Sequence, residues 1–331
     1  MSKVIKNIAV VGCGHWGKNL VRNFSGLGAL ACICDPDISL AKSLSAKFNV
    51  RSATFDEILQ SKDYAAVVLA VPAPLHAKMA IKAMNAGKHV FIEKPLAMNS
   101  IEARKMIEAS SENKVHLMVG HLLQYHPVFT SLLDLVANGD MGSLSYIYSN
   151  RLSLGKIRSE EDVVWSFAPH DISMILSLAG DEPHTVNTES TSIIQPGIAD
   201  CATIHLGFEG GLKAHVSVSW IHPFKEQKLV VIGDRAMAVF DDTQPWDRKL
   251  AIYAHTIDTS NGTPVPSKAS PIYAVIDEEE PLSQECKYFI NLVEGSVMPL
   301  TDGHEGMRVL RVLEAASTSI AENRAIFLTN T

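Results

Sequence analysis

The chain has no stretch of twenty uninterrupted apolar residues, no run of lysine and arginine, and no His/Cys/Asp cluster at metal-ligand spacing. The first absence excludes a membrane-spanning helix, and the second removes the electrostatic footprint of a nucleic-acid binder. The third leaves no candidate metal site, and none is expected. Cysteine is scarce as well. Cys13, Cys32, Cys34, Cys201 and Cys286 are odd in number and mostly lie in apolar, strand-like segments. Buried free thiols in a reducing compartment fit that placement better than a disulfide framework. The N-terminal stretch Met1-Ser2-Lys3-Val4-Ile5-Lys6-Asn7 enters an apolar run too short for a secretion signal, so a cytoplasmic protein is expected. A net charge of -7 gives no reason to expect a polyanionic partner.

What is present is enough for two ordinary domains. The 331 residues are 47% hydrophobic and 20% charged, as in soluble globular proteins. Short apolar runs alternate with amphipathic stretches from Asn7 to Val119. The predicted order is strand 7–11, helix 16–27, strand 29–34, helix 38–48, strand 65–70, helix 76–86, strand 89–92, helix 100–112 and strand 115–119. This βαβ succession is that of a parallel sheet wrapped by helices, with Gly87 expected as a helix C-cap. After residue 122 the pattern changes. A helix over 127–137 precedes period-two stretches at 146–154, 185–194, 202–208, 212–220 and 228–232, which read as antiparallel strands. Glu209-Gly210-Gly211 is a hairpin signal between two of them, and Thr259 to Ser270 reads as a surface loop. Val309, Val312, Leu313, Ala316 and Ile320 mark an apolar stripe on a closing helix. The division expected is residues 1–122 for the first domain and 123–331 for the second.

Gly12-Cys13-Gly14-His15-Trp16-Gly17 fits G-x-G-x-x-G between a strand and a helix. The first glycine permits a tight turn, the second lets backbone approach a pyrophosphate, and the third lets helix and strand pack closely. Asp35 ends the next strand, where a carboxylate can hold the ribose hydroxyls and repel a 2′-phosphate. Pro36 and Asp37 follow it, with no cation for that phosphate, so NAD is expected over NADP. The alternative is a structural turn in which Asp35 caps the following helix. Glu93-Lys94-Pro95 stands at the carboxyl end of the strand 89–92, the edge where open parallel sheets bind ligands. A lysine there can stabilise an alkoxide as hydride leaves, although the tripeptide alone also fits a surface lysine before a loop proline.

The run from Ala65 to His76, with Ala86-Gly87-Lys88-His89-Val90-Phe91-Ile92-Glu93-Lys94-Pro95-Leu96-Ala97, resembles the central block of the glucose-fructose oxidoreductase/inositol dehydrogenase/MocA (Gfo/Idh/MocA) family. The likeness extends along the chain and includes Thr301-Asp302-Gly303-His304-Glu305-Gly306. It implies an α/β protein: an N-terminal Rossmann domain plus a C-terminal α/β domain with a large open antiparallel sheet, where homo-oligomer formation is expected. It also implies that Lys94 is catalytic, that Glu93 and Pro95 shape the nicotinamide pocket, and that the Lys94–Pro95 bond is cis. His15, Trp16, Pro72 and His76 are further expected cofactor contacts. Trp165-Ser166-Phe167-Ala168-Pro169-His170-Asp171-Ile172-Ser173 resembles the segment that carries the family's catalytic histidine. Pro169 suits the first position of a helix, which would place His170 in the first turn, where the dipole disfavours imidazolium. A neutral imidazole is what a general base requires. Many members carry an aspartate where this chain has Ser166, which puts in doubt polyols handled by a Lys/Asp/His trio.

The block Asn150 to Arg158 together with Val164 to Ser173 resembles the nucleotide-sugar branch, which oxidises the 3-hydroxyl of UDP-N-acetylglucosamine or its uronic acid. Arg151, Lys156 and Arg158 offer cations for a diphosphate, or else form a solvated basic loop. Tyr125 and Trp165 are expected at the substrate, and His121 and His126 are candidates for the cleft, whereas His205 and His215 read as structural. This branch supplies 3-keto sugars for surface polysaccharide or lipid A, in some members with 2-oxoglutarate reoxidising NADH. The alternatives are a dehydrogenase or ketoreductase of another sugar, such as a cyclitol or a dTDP-keto sugar, and a non-catalytic NAD-binding sugar sensor.

Overall fold

The computed structural model describes residues 7–258 and 260–329, so the expectations for residues 1–6 and for Thr259 lie outside the described residues. The first elements are β1 (Ile8–Val11), α1 (Gly17–Gly26), β2 (Leu30–Cys34), α2 (Ile38–Phe48), β3 (Arg51–Ser52), α3 (Phe55–Gln60), β4 (Ala66–Leu69), α4 (His76–Asn85), β5 (His89–Glu93), α5 (Ser100–Asn113) and β6 (Leu117–Gly120). There follow α6 (Pro127–Ala137), β7 (Leu144–Leu154), α7 (Val163–Ala179), β8 (Thr185–Thr191), β9 (Cys201–Gly207), β10 (Lys213–Ser219), β11 (Ile221–Gly233), β12 (Met237–Asp241), β13 (Leu250–Tyr253), β14 (Thr256–Asp258), β15 (Val265–Ser267) and β16 (Ile272–Tyr273). The chain closes with α8 (Pro281–Val293), α9 (Gly303–Glu322) and β17 (Ile326–Phe327).

Two compact units result. The first holds the chain up to Tyr125 together with Glu279–Leu310, and the second holds His126–Glu278 with Arg311–Thr331. The sequence assigned everything after residue 122 to the second domain. The correction concerns α8 and the start of α9, which fold with the first unit because its core takes the apolar face of α8. Phe289 sets its ring against Phe24 of α1 and Phe91 of β5, at 6.2 and 5.6 Å in edge-to-face geometry.

The first unit is built on a six-stranded parallel sheet in the order β3-β2-β1-β4-β5-β6. Strands β1 and β4 are buried at every residue, as a sheet covered on both faces requires. The order reverses between β1 and β4, and such a switch point opens a crevice at the carboxyl edge. Two short elements, β3 and α3, escaped the sequence reading. Helix α3 is fixed by a capping box in which Thr54 Oγ1 accepts from Glu57 N–H while the Glu57 carboxylate accepts from Thr54 N–H.

The second unit is built on a nine-stranded sheet, β16-β13-β12-β11-β7-β10-β9-β8-β17. It is not wholly antiparallel as expected, because β10 runs parallel to β7. The expected hairpin is present: Gly210 and Gly211 turn with φ of 78° and 95° between antiparallel β9 and β10. Helix α7 packs across β7, β9 and β10. The surface loop expected around residues 259–270 contains β15, which pairs with β14 in a two-stranded ribbon. Trp220 is fully buried and donates to Asp200, which also accepts from Ile193 and Ile194 N–H.

If α8 completes the core of the first unit, Phe289→Ala should cost about 3–5 kcal/mol. Denaturant unfolding checks this, and a loss no larger than that of an exposed-residue control would contradict it.

Candidate active site

The glycine turn is shaped by contacts that leave no room for side chains at two of its three glycines. Gly12 has φ of 87°, and a Cβ there would stand 2.4 Å from the Ala70 carbonyl oxygen. A Cβ on Gly17 would meet the Gly12 carbonyl oxygen at 1.9 Å, which is how closely α1 abuts the turn. A Cβ on Gly14 would meet nothing within 4 Å. That open space, at the positive end of α1, is the cradle a pyrophosphate needs. Asp35 lies beside it and accepts from Cys13 N–H at 2.6 Å and Asp37 N–H at 2.9 Å. The helix cap considered for Asp35 belongs instead to Asp37, which accepts from Ser39 and Leu40 N–H. Asp35 is thus oriented by backbone donors with acceptor capacity left for a diol. The residues fit the adenosine diphosphate half of NAD.

Glu93, Lys94 and Pro95 stand at the end of β5, and the Lys94–Pro95 bond is cis. Trp16, 41% exposed, donates its indole N–H to the Glu93 carboxylate and so reaches from the end of β1 to the end of β5. Burial pushes Glu93 up to about 7 against the opposing pull of the Trp16 hydrogen bond and the Lys94 charge. Gly120 backs it closely, since a Cβ there would lie 3.1 Å from Glu93 Oε2. Pro72 and His15 are exposed beside the crevice.

His76, expected at the cofactor, has another task. Its ring is 1% exposed, with Nδ1 2.8 Å from the Pro95 carbonyl and Nε2 2.9 Å from the Val71 carbonyl. Both ring nitrogens are occupied by backbone, so none is left for a ligand, and burial holds the imidazole below its ordinary pKa. Tyr125 also departs from its expected role at the substrate. It is 5% exposed and its hydroxyl shares a hydrogen bond with Thr301 Oγ1 at 2.7 Å, while Thr301 donates to the Val119 carbonyl. His121 pairs with Glu305 at 2.5 Å within the same unit.

In the second unit, α7 begins at Val163, where Asp162 caps it by accepting from Trp165 N–H. Pro169 therefore sits inside the helix rather than at its first position, and His170 lies in the third turn. The dipole argument for a neutral His170 does not hold, because that effect fades within the first turn. The residue after His170 forms a pair the sequence did not reveal. Asp171, 1% exposed, takes Arg151 Nε at 2.5 Å and Nη2 at 3.2 Å in a fork, together with the Ser149 hydroxyl at 2.5 Å. Arg151, expected on a diphosphate, is committed to locking β7 to α7. Arg158 pairs with Glu161 at 3.0 Å, and its Nε is buried with no hydrogen-bond partner. Lys156 is exposed. Trp165 donates to Ser317 Oγ at 2.9 Å. His126 caps α6 and faces Asp242 at 3.4 Å. His205 and His215 are register partners in β9 and β10, with His215 Nδ1 2.8 Å from Tyr146 Oη.

All five cysteines are free, and burial pushes the Cys13 thiol to about 12, which removes it as a nucleophile. Among the described residues no group of three or more His, Cys, Asp or Glu could hold a metal ion. No described helix is long and apolar enough to cross a membrane.

Residues 6–121 match the oxidoreductase family with NAD-binding Rossmann fold, and residues 129–239 match the C-terminal domain of the same family. The chain belongs to the Gfo/Idh/MocA family. It is an NAD-dependent oxidoreductase of the sugar- and polyol-transforming kind. UDP-N-acetylglucosamine 3-dehydrogenase of Acidithiobacillus ferrooxidans is 26% identical over 91% of this chain and 93% of its own length. Inositol 2-dehydrogenase of Rhizobium meliloti is 23% identical over 96% and 97%. The solved structure of the Acidithiobacillus enzyme superposes with a TM-score of 0.84 at 24% identity, over 96% of this chain and 98% of that one.

Gly14→Ala should leave thermal stability unchanged and weaken NAD at least tenfold, because the new methyl meets only the pyrophosphate's space. Gly17→Ala should lower stability as well. Calorimetric titration alongside thermal melting checks both, and undiminished NAD affinity in Gly14→Ala would contradict the cradle.

Proposed function

We propose that this enzyme oxidises the C3 hydroxyl of a UDP-linked 2-acetamido sugar, UDP-N-acetylglucosamine or its uronic acid, to the 3-keto sugar. The observation that carries the reading is the near full-length likeness to a UDP-N-acetylglucosamine 3-dehydrogenase. Bound NAD supplies the hydride acceptor. Lys94 stabilises the developing alkoxide, and His170 takes the hydroxyl proton. The Arg151–Asp171 fork fixes the turn of α7 that carries His170. Exposed Lys156 is the cation left for the diphosphate, and Arg158 would join it by leaving Glu161. Glu93 and Trp16 border the nicotinamide. A cytoplasmic homo-oligomer serving lipid A or surface polysaccharide, with 2-oxoglutarate as hydride sink, completes the proposal.

The inositol dehydrogenases among the relatives favour a second reading, oxidation of a free cyclitol. Against it stands Ser166, 4% exposed, at the position where many family members carry an aspartate.

Incubation with NAD and each sugar, with the ketone trapped by an aminotransferase and identified by mass, decides between them. At least one UDP sugar should be converted with kcat/KM ten times or more that for myo-inositol, because remote diphosphate contacts also orient C3. Conversion of myo-inositol with neither UDP sugar touched would overturn the nucleotide-sugar reading.

A further inference from the structure

Strand β11 lies inside its sheet, between β12 and β7, yet it contains Pro223. A proline cannot donate to the ladder, so an interior strand tolerates one only at a bulge. The register shows that bulge. Ile221 pairs with Leu154 and Glu226 with Leu152, which leaves three more residues on β11 than on β7 between the pairs. On its other side β11 meets β12 only from Lys228 onward. His222, Pro223, Phe224 and Lys225 thus stand outside the ladder, and Glu226 behind them is engaged by the Asn150 side-chain amide at 2.5 Å.

Phe224 is 60% exposed but not left to swing. The His222 ring meets it edge-to-face with centroids 4.4 Å apart, and His222 Nδ1 lies 2.9 Å from the Phe224 carbonyl oxygen. A carbonyl oxygen can only accept, so Nδ1 donates and the bulge is closed on itself. The result is a braced aromatic ring open to solvent. Lys225 beside it is exposed, and the strand end opposite Ile221 runs from Leu154 into exposed Lys156. The bulge and Lys156 belong to the same unit. Lysine is depleted from the cores of protein interfaces, so a second copy of the chain is a poor occupant for this ring. A flat ring carried on an anion suits it, because the phenyl face offers stacking and the lysines offer charge.

We propose that Phe224 is the platform on which the nucleobase of the substrate stacks. The inference rests on the nucleotide-sugar reading above, with Lys156 as the cation for the diphosphate. Every base has a face to stack, so the platform adds affinity and reach without selecting uracil. A nucleotide held at both base and diphosphate brings remote binding energy to the placement of the sugar.

The test is calorimetric titration of the intact protein, saturated with NADH so that its own adenosine site is filled, with UDP, CDP and inorganic pyrophosphate. Both nucleotides should bind about tenfold or more tighter than pyrophosphate. Phe224→Ala should weaken both by about tenfold or more and leave pyrophosphate unchanged, whereas Phe224→Trp should keep them. In Phe224→Ala, kcat/KM for the UDP sugar should fall together with UDP affinity. An unchanged melting temperature reports an intact fold. Unchanged UDP affinity in Phe224→Ala overturns the inference and leaves the nucleotide-sugar reading standing. A changed oligomeric mass alongside it gives the ring to a contact between copies instead. A parallel loss of pyrophosphate affinity also overturns the inference, because stacking acts on the base alone. Failure of UDP and of both UDP sugars to bind the unaltered protein overturns the nucleotide-sugar reading as well.

Discussion

At the carboxyl edge of the parallel sheet, one imidazole ring lies between two backbone carbonyls. Val71 leaves β4 and Pro95 closes the turn after β5, and His76 holds both carbonyl oxygens within 2.9 Å. The loops that carry ligand chemistry in such a sheet are its most irregular backbone, and buried carbonyls there need donors. His76, the first residue of α4, which is itself anchored on the sheet, places one ring nitrogen beside each of them, and its neutral ring donates to one of the two. The ring thus sits between the loop after β4 and the turn that carries Lys94 and Pro95.

Side chains also secure the helix that carries His170. A proline inside α7 removes one backbone donor, while Asp162 accepts from a backbone N–H at its start and Asp171 accepts from Arg151 in its middle. A buried fork of this kind adds little net stability, but losing one partner strands the other charge. Its value is geometric, since it fixes the helical turn bearing the histidine. Glycines do the corresponding work at the cofactor end, where contacts at Gly12 and Gly17 shape the space left open at Gly14.

Much of this was legible in the sequence, for reasons that differ by element. Helices 38–48 and 127–137 fall where apolar spacing places them, while their caps, Asp37 and His126, were seen only in the structure. Strands β1, β2 and β4 announce themselves as short, wholly apolar runs, whereas the two exposed residues of β3 give no such signal. The Thr54–Glu57 capping box was a signal for α3 that went unread. The parallel pairing of β10 with β7 was not legible, because a period of two reports faces and not neighbours. Pro169 misled because the rule for a first helical position competes with a stronger cap seven residues earlier. Arg151 and Asp171 are twenty residues apart, and nothing in either segment foretells their fork.

The account stands or falls on Lys94 and His170 as the groups that meet the reacting hydroxyl. The direct measurement is turnover of the preferred sugar by Lys94→Ala and His170→Ala, with NAD affinity measured on the same preparations. Turnover should fall by about 10²–10⁴-fold in each, with NAD affinity kept within about threefold. Near-normal turnover in either variant would contradict the account.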